Sequence, residues 1–171
     1  MFVIADDLTG ANDTAIQYKK NGISSVVYVR VPEKIEEVLK ADSLSYDSIS
    51  INTDSRSLSS SEAYKLVFEI CTKLNKLFQA NECKQDFAET KKSCQKFACK
   101  KSTAVYKKID SVLRGNPGFE LQSVKDALGI DCSFICPAFP ENGRFIKNGF
   151  LNVADQKIDV CTVMAEGLKG K

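Results

Sequence analysis

The sequence contains no histidine among its 171 residues. This absence excludes every mechanism in which an imidazole accepts the proton, including the Ser-His-Asp and Cys-His arrangements, and every metal site that depends on histidine ligands. Proton transfer near neutral pH therefore falls to a carboxylate, a lysine or a cysteine.

Long hydrophobic runs are also absent. No apolar stretch approaches the roughly 20 residues that span a bilayer, and no basic segment precedes the apolar run at residues 2–5. We therefore expect a cytoplasmic protein with neither a secretory signal nor a membrane partner. The formal net charge is only +2, whereas nucleic-acid-binding domains usually carry a strong basic excess. No nucleic-acid partner is expected.

The motifs of common metal and nucleotide sites are missing. The seven cysteines are odd in number and include no C-x-x-C pair, so we expect free thiols rather than a disulfide framework, and no metal ligands. Neither G-x-x-x-x-G-K-[ST] nor G-x-G-x-x-G occurs. No segment of the sequence is therefore typical of a nucleoside triphosphate site.

Apolar, strand-like runs alternate with segments of helical periodicity. This alternation predicts an α/β fold with a doubly wound, mostly parallel sheet of about five strands and helices on both faces. Asn148-Gly149 between two apolar runs adds a C-terminal hairpin. The predicted strands cover residues 2–5, 24–29, 47–52, 103–106 and 132–136, and the predicted helices cover residues 9–18, 32–39, 63–77 and 117–128.

The chain is long enough for one domain, which we expect over residues 1–153, with a tail over residues 154–171. Residues 79–102 depart from the pattern because they are rich in lysine, and we interpret them as an atypical helical insertion. This insertion is either a solvated extension of the preceding helix or a basic patch that binds a partner.

Four short polar clusters each follow a predicted strand. Because ligands of open α/β sheets bind at the carboxyl edge of the strands, we expect the four clusters to form one polar site there. The clusters are Asp6-Asp7-Leu8-Thr9-Gly10, Asn52-Thr53-Asp54-Ser55-Arg56, Lys107 to Asn116, and Pro137 to Arg144.

The side chains of these clusters suit a small, hydroxylated anion. A carboxylate at position 6 or 7 can accept a proton from a hydroxyl or hold Mg²⁺, or it can simply cap the following helix. Arg56 matches a carboxylate in two parallel hydrogen bonds, and Asp110 accepts hydrogen bonds from hydroxyls. Only one of Lys107 and Lys108 can face the site, because neighbouring strand residues point to opposite faces. Taken singly, each cluster is also compatible with ordinary loop charges.

In this order, the four clusters resemble the amino-terminal domain of the four-carbon acid-sugar kinase family. The resemblance runs from about residue 2 to about residue 153, without roughly 79–102. It rests on Ile4-Ala5-Asp6-Asp7-Leu8-Thr9-Gly10-Ala11-Asn12-Asp13-Thr14, Asn52-Thr53-Asp54-Ser55-Arg56-Ser57, Lys107-Lys108-Ile109-Asp110-Ser111-Val112-Leu113-Arg114-Gly115-Asn116 and Pro137-Ala138-Phe139-Pro140-Glu141-Asn142-Gly143-Arg144.

Members of that family phosphorylate acid sugars such as threonate, erythronate and 3-oxo-tetronate with ATP and Mg²⁺. Their amino-terminal domain holds the sugar acid, and a separate carboxyl-terminal domain holds ATP. The resemblance implies that Asp7 accepts the hydroxyl proton. By the same resemblance, the substrate site comprises Asp6, Thr9, Asp54, Arg56, Lys108, Asp110, Ser111, Arg114, Gly115, Asn142, Gly143 and Arg144.

A full family member would continue beyond Lys171 into the ATP-binding domain. We therefore expect this chain to be the substrate-binding half of a kinase, with no cofactor bound by the chain alone. Activity would require the ATP-binding domain in cis or in trans, because phosphoryl transfer depends on positioning and charge stabilisation around the nucleotide. The face left by that domain is expected to favour a homodimer.

Two other functions stay open at this point. A non-enzymatic sensor of sugar acids would keep the same pocket. A phospho-accepting receiver domain would place Asp6, Asp7 and Asp54 after its first and third strands. Such a domain needs a lysine at the end of its fifth strand, where Cys136 and Pro137 stand, and it leaves the arginine-rich loops unexplained.

Overall fold

The computed structural model describes residues 1–82 and 104–168, which form two sheets and five α-helices. The elements are β1 (Phe2–Ala5), α1 (Leu8–Lys20), β2 (Ser25–Tyr28), α2 (Ile35–Asp42), β3 (Ser48–Asn52), α3 (Ser60–Glu82), β4 (Val105–Lys108), α4 (Pro117–Leu128), β5 (Arg144–Lys147), β6 (Phe150–Val153), β7 (Gln156–Asp159) and α5 (Val160–Ala165). One sheet is parallel with the strand order β2-β3-β1-β4, and the other is antiparallel with the order β5-β6-β7.

The parallel sheet carries the main core. Every residue of β1 and β3 is buried, as expected for parallel strands that helices cover on both sides. Ile4, Ile49 and Ile51 pack with α2, α3 and α4 on one face, and α1 packs against the strands as well. Burial of each such side chain stabilises the fold by about 1.5–3 kcal/mol. This core therefore fixes the ends of the strands, from which the polar loops begin.

A second, smaller core joins the antiparallel sheet to the rest of the domain. Leu151 of β6 and Met164 of α5 are buried together with Leu113. Because Leu113 lies in the loop between β4 and α4, this core attaches the antiparallel sheet to a loop that carries predicted site residues. The sequence predicts a hairpin here, and it shows no clear pattern of secondary structure after Val153. The structure nevertheless continues into β7 and α5.

The α/β fold class is confirmed, but the predicted strand over residues 132–136 is not formed. These residues belong to neither sheet, and Phe134 is fully exposed. An apolar run is compatible with a strand, but its pattern does not show whether a hydrogen-bonding partner exists. Within the described residues the parallel sheet therefore has four strands rather than five.

Helix α3 begins three residues before the predicted 63–77 and directly after Ser59. The Ser59 hydroxyl donates a hydrogen bond to Glu62 Oε2 at 2.6 Å, and the backbone N–H of Glu62 donates one to Ser59 Oγ at 3.4 Å. This arrangement satisfies N–H groups at the helix start. The helix extends to Glu82, and most of the predicted insertion lies in residues 83–103, outside the described residues. No helix of the described part is long and apolar enough to cross a membrane.

Candidate functional site

Three parallel strands end at the same level of the sheet. Ala5, at the end of β1, is paired with Asn52 of β3 and with Lys108 of β4. The loops that follow these strands therefore begin side by side at the carboxyl edge. They bring together Asp6, Asp7, Arg56, Asp110 and Arg114.

Arg56 lies at the centre of this cluster and contacts three carboxylates. Its Nε lies 2.8 Å from Asp6 Oδ2, its Nη1 2.8 Å from Asp7 Oδ2, and its Nη2 3.6 Å from Asp110 Oδ1. Burial alone would lower the pKa of Arg56, but the hydrogen bond to Asp6 and the three negative charges raise it. The guanidinium therefore crosslinks the three loops and is already neutralised by protein carboxylates.

Asp110 and Arg114 form a bidentate pair within the loop between β4 and α4. Arg114 Nε lies 2.7 Å from Asp110 Oδ2, and Arg114 Nη2 lies 3.0 Å from Asp110 Oδ1. The backbone N–H of Arg114 also donates a hydrogen bond to Asp110 Oδ2. Burial alone would raise the pKa of Asp110, but these hydrogen bonds and the charges of Arg56 and Arg114 lower it to about 2. Asp110 is therefore ionised throughout the neutral range and is unsuited to accept a proton there.

Asp6 and Asp7 have different environments. Asp7 caps α1, because its Oδ1 accepts the Gly10 N–H at 2.8 Å, while its side chain stays 24% exposed. The Asp6 side chain is only 5% exposed, and its Oδ1 has no hydrogen-bond partner within residues 1–82 and 104–168. A buried acceptor without a donor is costly, and this oxygen has almost no accessible surface.

Lys108 is the lysine that faces the site. Its side chain crosses Gly10 so closely that a Cβ at Gly10 would stand 3.1 Å from Lys108 Cγ. The ammonium donates to the Ile109 carbonyl at 2.7 Å, and among the described residues it forms no ion pair with a carboxylate. Lys108 therefore presents a positive charge beside the N-terminus of α1, which itself favours an anion.

Arg144 joins the antiparallel sheet to the site. It is the first residue of β5, and its Nη1 donates a hydrogen bond to Ser111 Oγ in the loop between β4 and α4. In the described part of the chain Arg144 likewise has no carboxylate partner. The site thus contains two arginines that are paired with aspartates and two cations, Lys108 and Arg144, that are not.

The other predicted site residues differ in how they relate to this cluster. Gly115 packs directly against Arg56, and Thr9 lies exposed in the first turn of α1. Asn142 and Gly143 form the turn that precedes Arg144. The exposed Asp54 side chain makes no hydrogen bond or ion pair to another described residue. The structure therefore brings Gly115 to the cluster and leaves Asp54 outside its network.

Of two residues that lie beneath the site, the sequence analysis included Asn116 only as the end of the third cluster and missed Glu120. Asn116 donates through Nδ2 to the carbonyls of Ser55 and Leu58, and the buried Glu120 accepts from Ser55. A signal for Glu120 does exist in the sequence, because it lies four residues before Val124 and therefore on the apolar face of α4. A carboxylate at such a position is rarely buried without a partner.

The carboxylates of this edge are not arranged as a metal site. Among the described residues, no three carboxylate, thiol or imidazole groups are placed to hold a metal ion. Instead, the guanidinium of Arg56 occupies the space between the three aspartates. The donor set thus suits hydrogen-bonding hydroxyls and an anionic group more closely than it suits Mg²⁺.

The chain is similar over most of its length to proteins named as kinases of four-carbon acid sugars. The chain is 37% identical over 153 residues to a 3-oxo-tetronate kinase of Pseudomonas fluorescens, covering 90% of this chain and 30% of that protein. It is 32% identical over 152 residues to a D-erythronate kinase of Heliobacterium modesticaldum, covering 88% and 28%. It is 28% identical over 160 residues to a D-threonate kinase of Bordetella bronchiseptica, covering 91% and 33%. The chain thus spans about a third of the length of these relatives.

A solved structure shares the fold. It is a domain of unknown function from Bordetella bronchiseptica, crystallised with bound citrate as a domain-swapped dimer, and it matches with a TM-score of 0.67 and 27% identity over 91% of this chain and 33% of that chain. The family described as the sugar-binding N-terminal domain matches residues 1–167. The four clusters, the relatives and this family match agree, and the chain therefore belongs to the sugar-binding N-terminal domain family.

Proposed function

We propose that this chain binds a four-carbon sugar acid at the carboxyl edge of its parallel sheet, as the substrate half of an ATP-dependent kinase. The observation that carries this proposal is the pairing pattern of the site. Arg56 and Arg114 are held by aspartates, whereas Lys108 and Arg144 have no carboxylate partner among the described residues. These two cations, of which Lys108 lies beside the N-terminus of α1, suit the carboxylate of an acid sugar.

The aspartates suit the hydroxyl groups of the same ligand. Asp6 Oδ1 is buried without a donor, so a ligand hydroxyl would reach it only after a local movement of the surrounding side chains. We assign the acceptance of the reacting hydroxyl proton to Asp7, because its side chain is more exposed than that of Asp6 and each carboxylate oxygen can accept more than one hydrogen bond. Thr9, Gly115, Asn142 and Gly143 would shape the surrounding walls.

ATP and Mg²⁺ would come with a second domain, in cis or in trans. Relatives named as kinases are about three times as long as the matched region, and the chemistry that the cofactor supplies is the transfer of its terminal phosphoryl group. We propose that this chain alone binds the acid, binds no nucleotide and transfers no phosphate. Mixing it with the remaining domain of a relative and ATP would test this, since phosphorylation of a sugar acid should appear only in the mixture.

Calorimetric titration tests the binding proposal directly. D-erythronate, D-threonate, 3-oxo-tetronate and citrate would each be titrated into the wild-type chain and the Lys108→Met and Arg144→Met variants. We expect one acid to bind and each variant to weaken it at least about tenfold, since a charged hydrogen bond contributes roughly 1.5–3 kcal/mol. Lys40→Met, which removes an exposed lysine of α2, is the control and should bind like wild type. The proposal would be contradicted if the wild type, Lys108→Met, Arg144→Met and Lys40→Met all bound an acid equally well. It would also be contradicted if none of these proteins bound any of the acids.

We also propose that the chain self-associates. The support comes from two crystal forms of the Bordetella bronchiseptica relative, both of which contain a domain-swapped dimer. Light scattering coupled to size-exclusion chromatography should give a mass near twice the 18.9 kDa of the chain. A mass of one chain at every concentration would refute the dimer.

A further inference from the structure

A buried ion pair lies beneath the candidate site and has no role in the chemistry described above. Lys107 Nζ of β4 lies 2.6 Å from Glu120 Oε2 of α4, and the two side chains are only 5% and 1% exposed. Removing two charges from water is expensive and contributes little net stability. A pair of this kind is therefore a candidate for a role in positioning rather than in stability alone.

Glu120 is connected to Arg56 through one residue. Its other oxygen, Oε1, accepts the Ser55 hydroxyl at 2.8 Å, and Ser55 is fully buried immediately before Arg56. The Ser55 oxygen also lies 2.7 Å from Thr53 Oγ1, which donates to the Ala5 carbonyl at 2.8 Å. Because each hydroxyl has a single proton, two separate hydrogen bonds fix this loop: that of Ser55 joins it to α4, and that of Thr53 joins it to the end of β1, after which Asp6 begins.

Lys107 is connected to Lys108 through the strand itself. Consecutive residues of a strand point to opposite faces, so the ion pair that holds Lys107 on the face covered by α3 and α4 directs Lys108 to the site. Cys71 of α3 also lies close to Lys107, whose charge lowers the pKa of that thiol against the effect of burial. The same pair therefore acts on the orientation of Lys108 and, through Ser55, on that of Arg56.

We propose that Lys107 and Glu120 are positioning residues that hold Arg56 and Lys108 in the geometry required for binding an anionic ligand. Neither residue touches the ligand. The proposal rests on the proposed function for its ligand, but it also makes a claim about Arg56 that needs no ligand. That claim is that the guanidinium keeps its contacts with Asp6 and Asp7 only while Glu120 holds Ser55.

Glu120→Gln tests this in the full chain, because the substitution keeps the size of the side chain and removes its charge. The Nε–H resonance of Arg56, assigned by its loss in Arg56→Lys, reports the hydrogen bond to Asp6 without any ligand. We expect this resonance to shift or broaden in Glu120→Gln, and the affinity for the acid found by titration to fall about tenfold, as for members of one network.

Val124→Ala is the matched control on the same helix. It removes buried apolar volume from the core and should lower the unfolding midpoint while leaving both the Arg56 resonance and the affinity unchanged. A merely structural role for Glu120 predicts the same result for Glu120→Gln as for Val124→Ala, and that result would overturn the proposal.

Ser55→Ala keeps the experiment decisive if Glu120→Gln does not fold. It cuts the connection to Arg56 and leaves the ion pair intact, so the Arg56 resonance should again change. An unchanged Arg56 resonance in Ser55→Ala would also overturn the proposal. If the wild type binds none of the acids, the proposed function fails, whereas the Arg56 resonance still decides the positioning role.

Discussion

Gly115 lies directly against Arg56. A Cβ at Gly115 would stand 3.0 Å from Arg56 Cγ and 3.2 Å from Arg56 Cα, and the φ of Gly115 is +81°. The loop between β4 and α4 can therefore approach the loop of Arg56 only because this residue has no side chain. The contact joins the two loops that supply most of the charged groups of the site.

Gly115→Ala should consequently impair both stability and binding. The left-handed backbone costs an alanine about 1–2 kcal/mol, and overpacking against Arg56 adds about 1–3 kcal/mol. Gly129→Ala is a matched control, because Gly129 has a φ of +64° and no atom within 4 Å of a built Cβ. Urea unfolding and acid titration of both variants should show loss of affinity in Gly115→Ala alone. Equal affinities in the two variants would show that the contact with Arg56 does not matter.

Most of the fold could be predicted from the sequence because its elements carry local signals. Buried parallel strands read as apolar runs, and α4 has proline at its first position and Gly129 after its end. The segment over 132–136 carries the same apolar signal but has no strand partner among residues 1–82 and 104–168, and pairing is a property of the whole sheet. Strand β7 and α5 were missed because their few buried residues pack against distant ones such as Leu113.

The composition of the site could be predicted, but the partners of its residues could not. Strand ends identify which loops meet, so Asp6, Arg56 and Asp110 were expected together. The sequence does not show that Arg56 is neutralised by three aspartates, because that depends on side-chain distances between separate loops. It therefore predicted Arg56 and Arg114 as ligand-binding residues together with Lys108 and Arg144, and it gave no sign that Arg56 and Arg114 are paired with aspartates.

Asp110 should make stability depend on pH in the acid range. Its pKa falls from the ordinary 3.8 to about 2 in the folded chain, so folding favours the charged form. The resulting stabilisation is complete above about pH 4 and is lost as the pH falls toward 2. Urea unfolding of wild type and Asp110→Asn between pH 6 and 2.5 should show a stability difference that is constant down to about pH 4 and then shrinks.

Asp54→Asn serves as the control for this pH dependence. The Asp54 side chain is exposed and unpaired among the described residues, so the difference between this variant and wild type should stay near zero at every pH. A similar pH profile for Asp54→Asn and Asp110→Asn would show that Asp110 gains nothing from Arg56 and Arg114.

Cys71 should resist thiol reagents while the chain is folded. Burial raises the pKa of its thiol to about 12, although the charge of Lys107 acts in the opposite direction, and the thiolate is the reactive form. Cys132, Cys136 and Cys161 are exposed and should be alkylated first at neutral pH. Peptide mass spectrometry should detect modification of Cys71 only after urea is added. Modification of Cys71 at the rate of Cys161 without urea would show that the α3 core opens readily.

Lys107 and Lys108 are consecutive residues whose replacement should differ in its effect on stability, although both replacements should impair acid binding. Lys107→Met leaves Glu120 buried without its partner and should cost about 3–5 kcal/mol, measured by urea unfolding. Lys108→Met breaks no ion pair among the described residues and should change stability by less than about 0.5 kcal/mol, while acid binding is lost. The double variant Lys107→Met/Glu120→Met replaces both buried charges by apolar groups and should recover most of the stability. It should not recover binding, because Ser55 has then lost its acceptor and Arg56 its support. Recovery of both properties together would mean that the pair contributes only to folding.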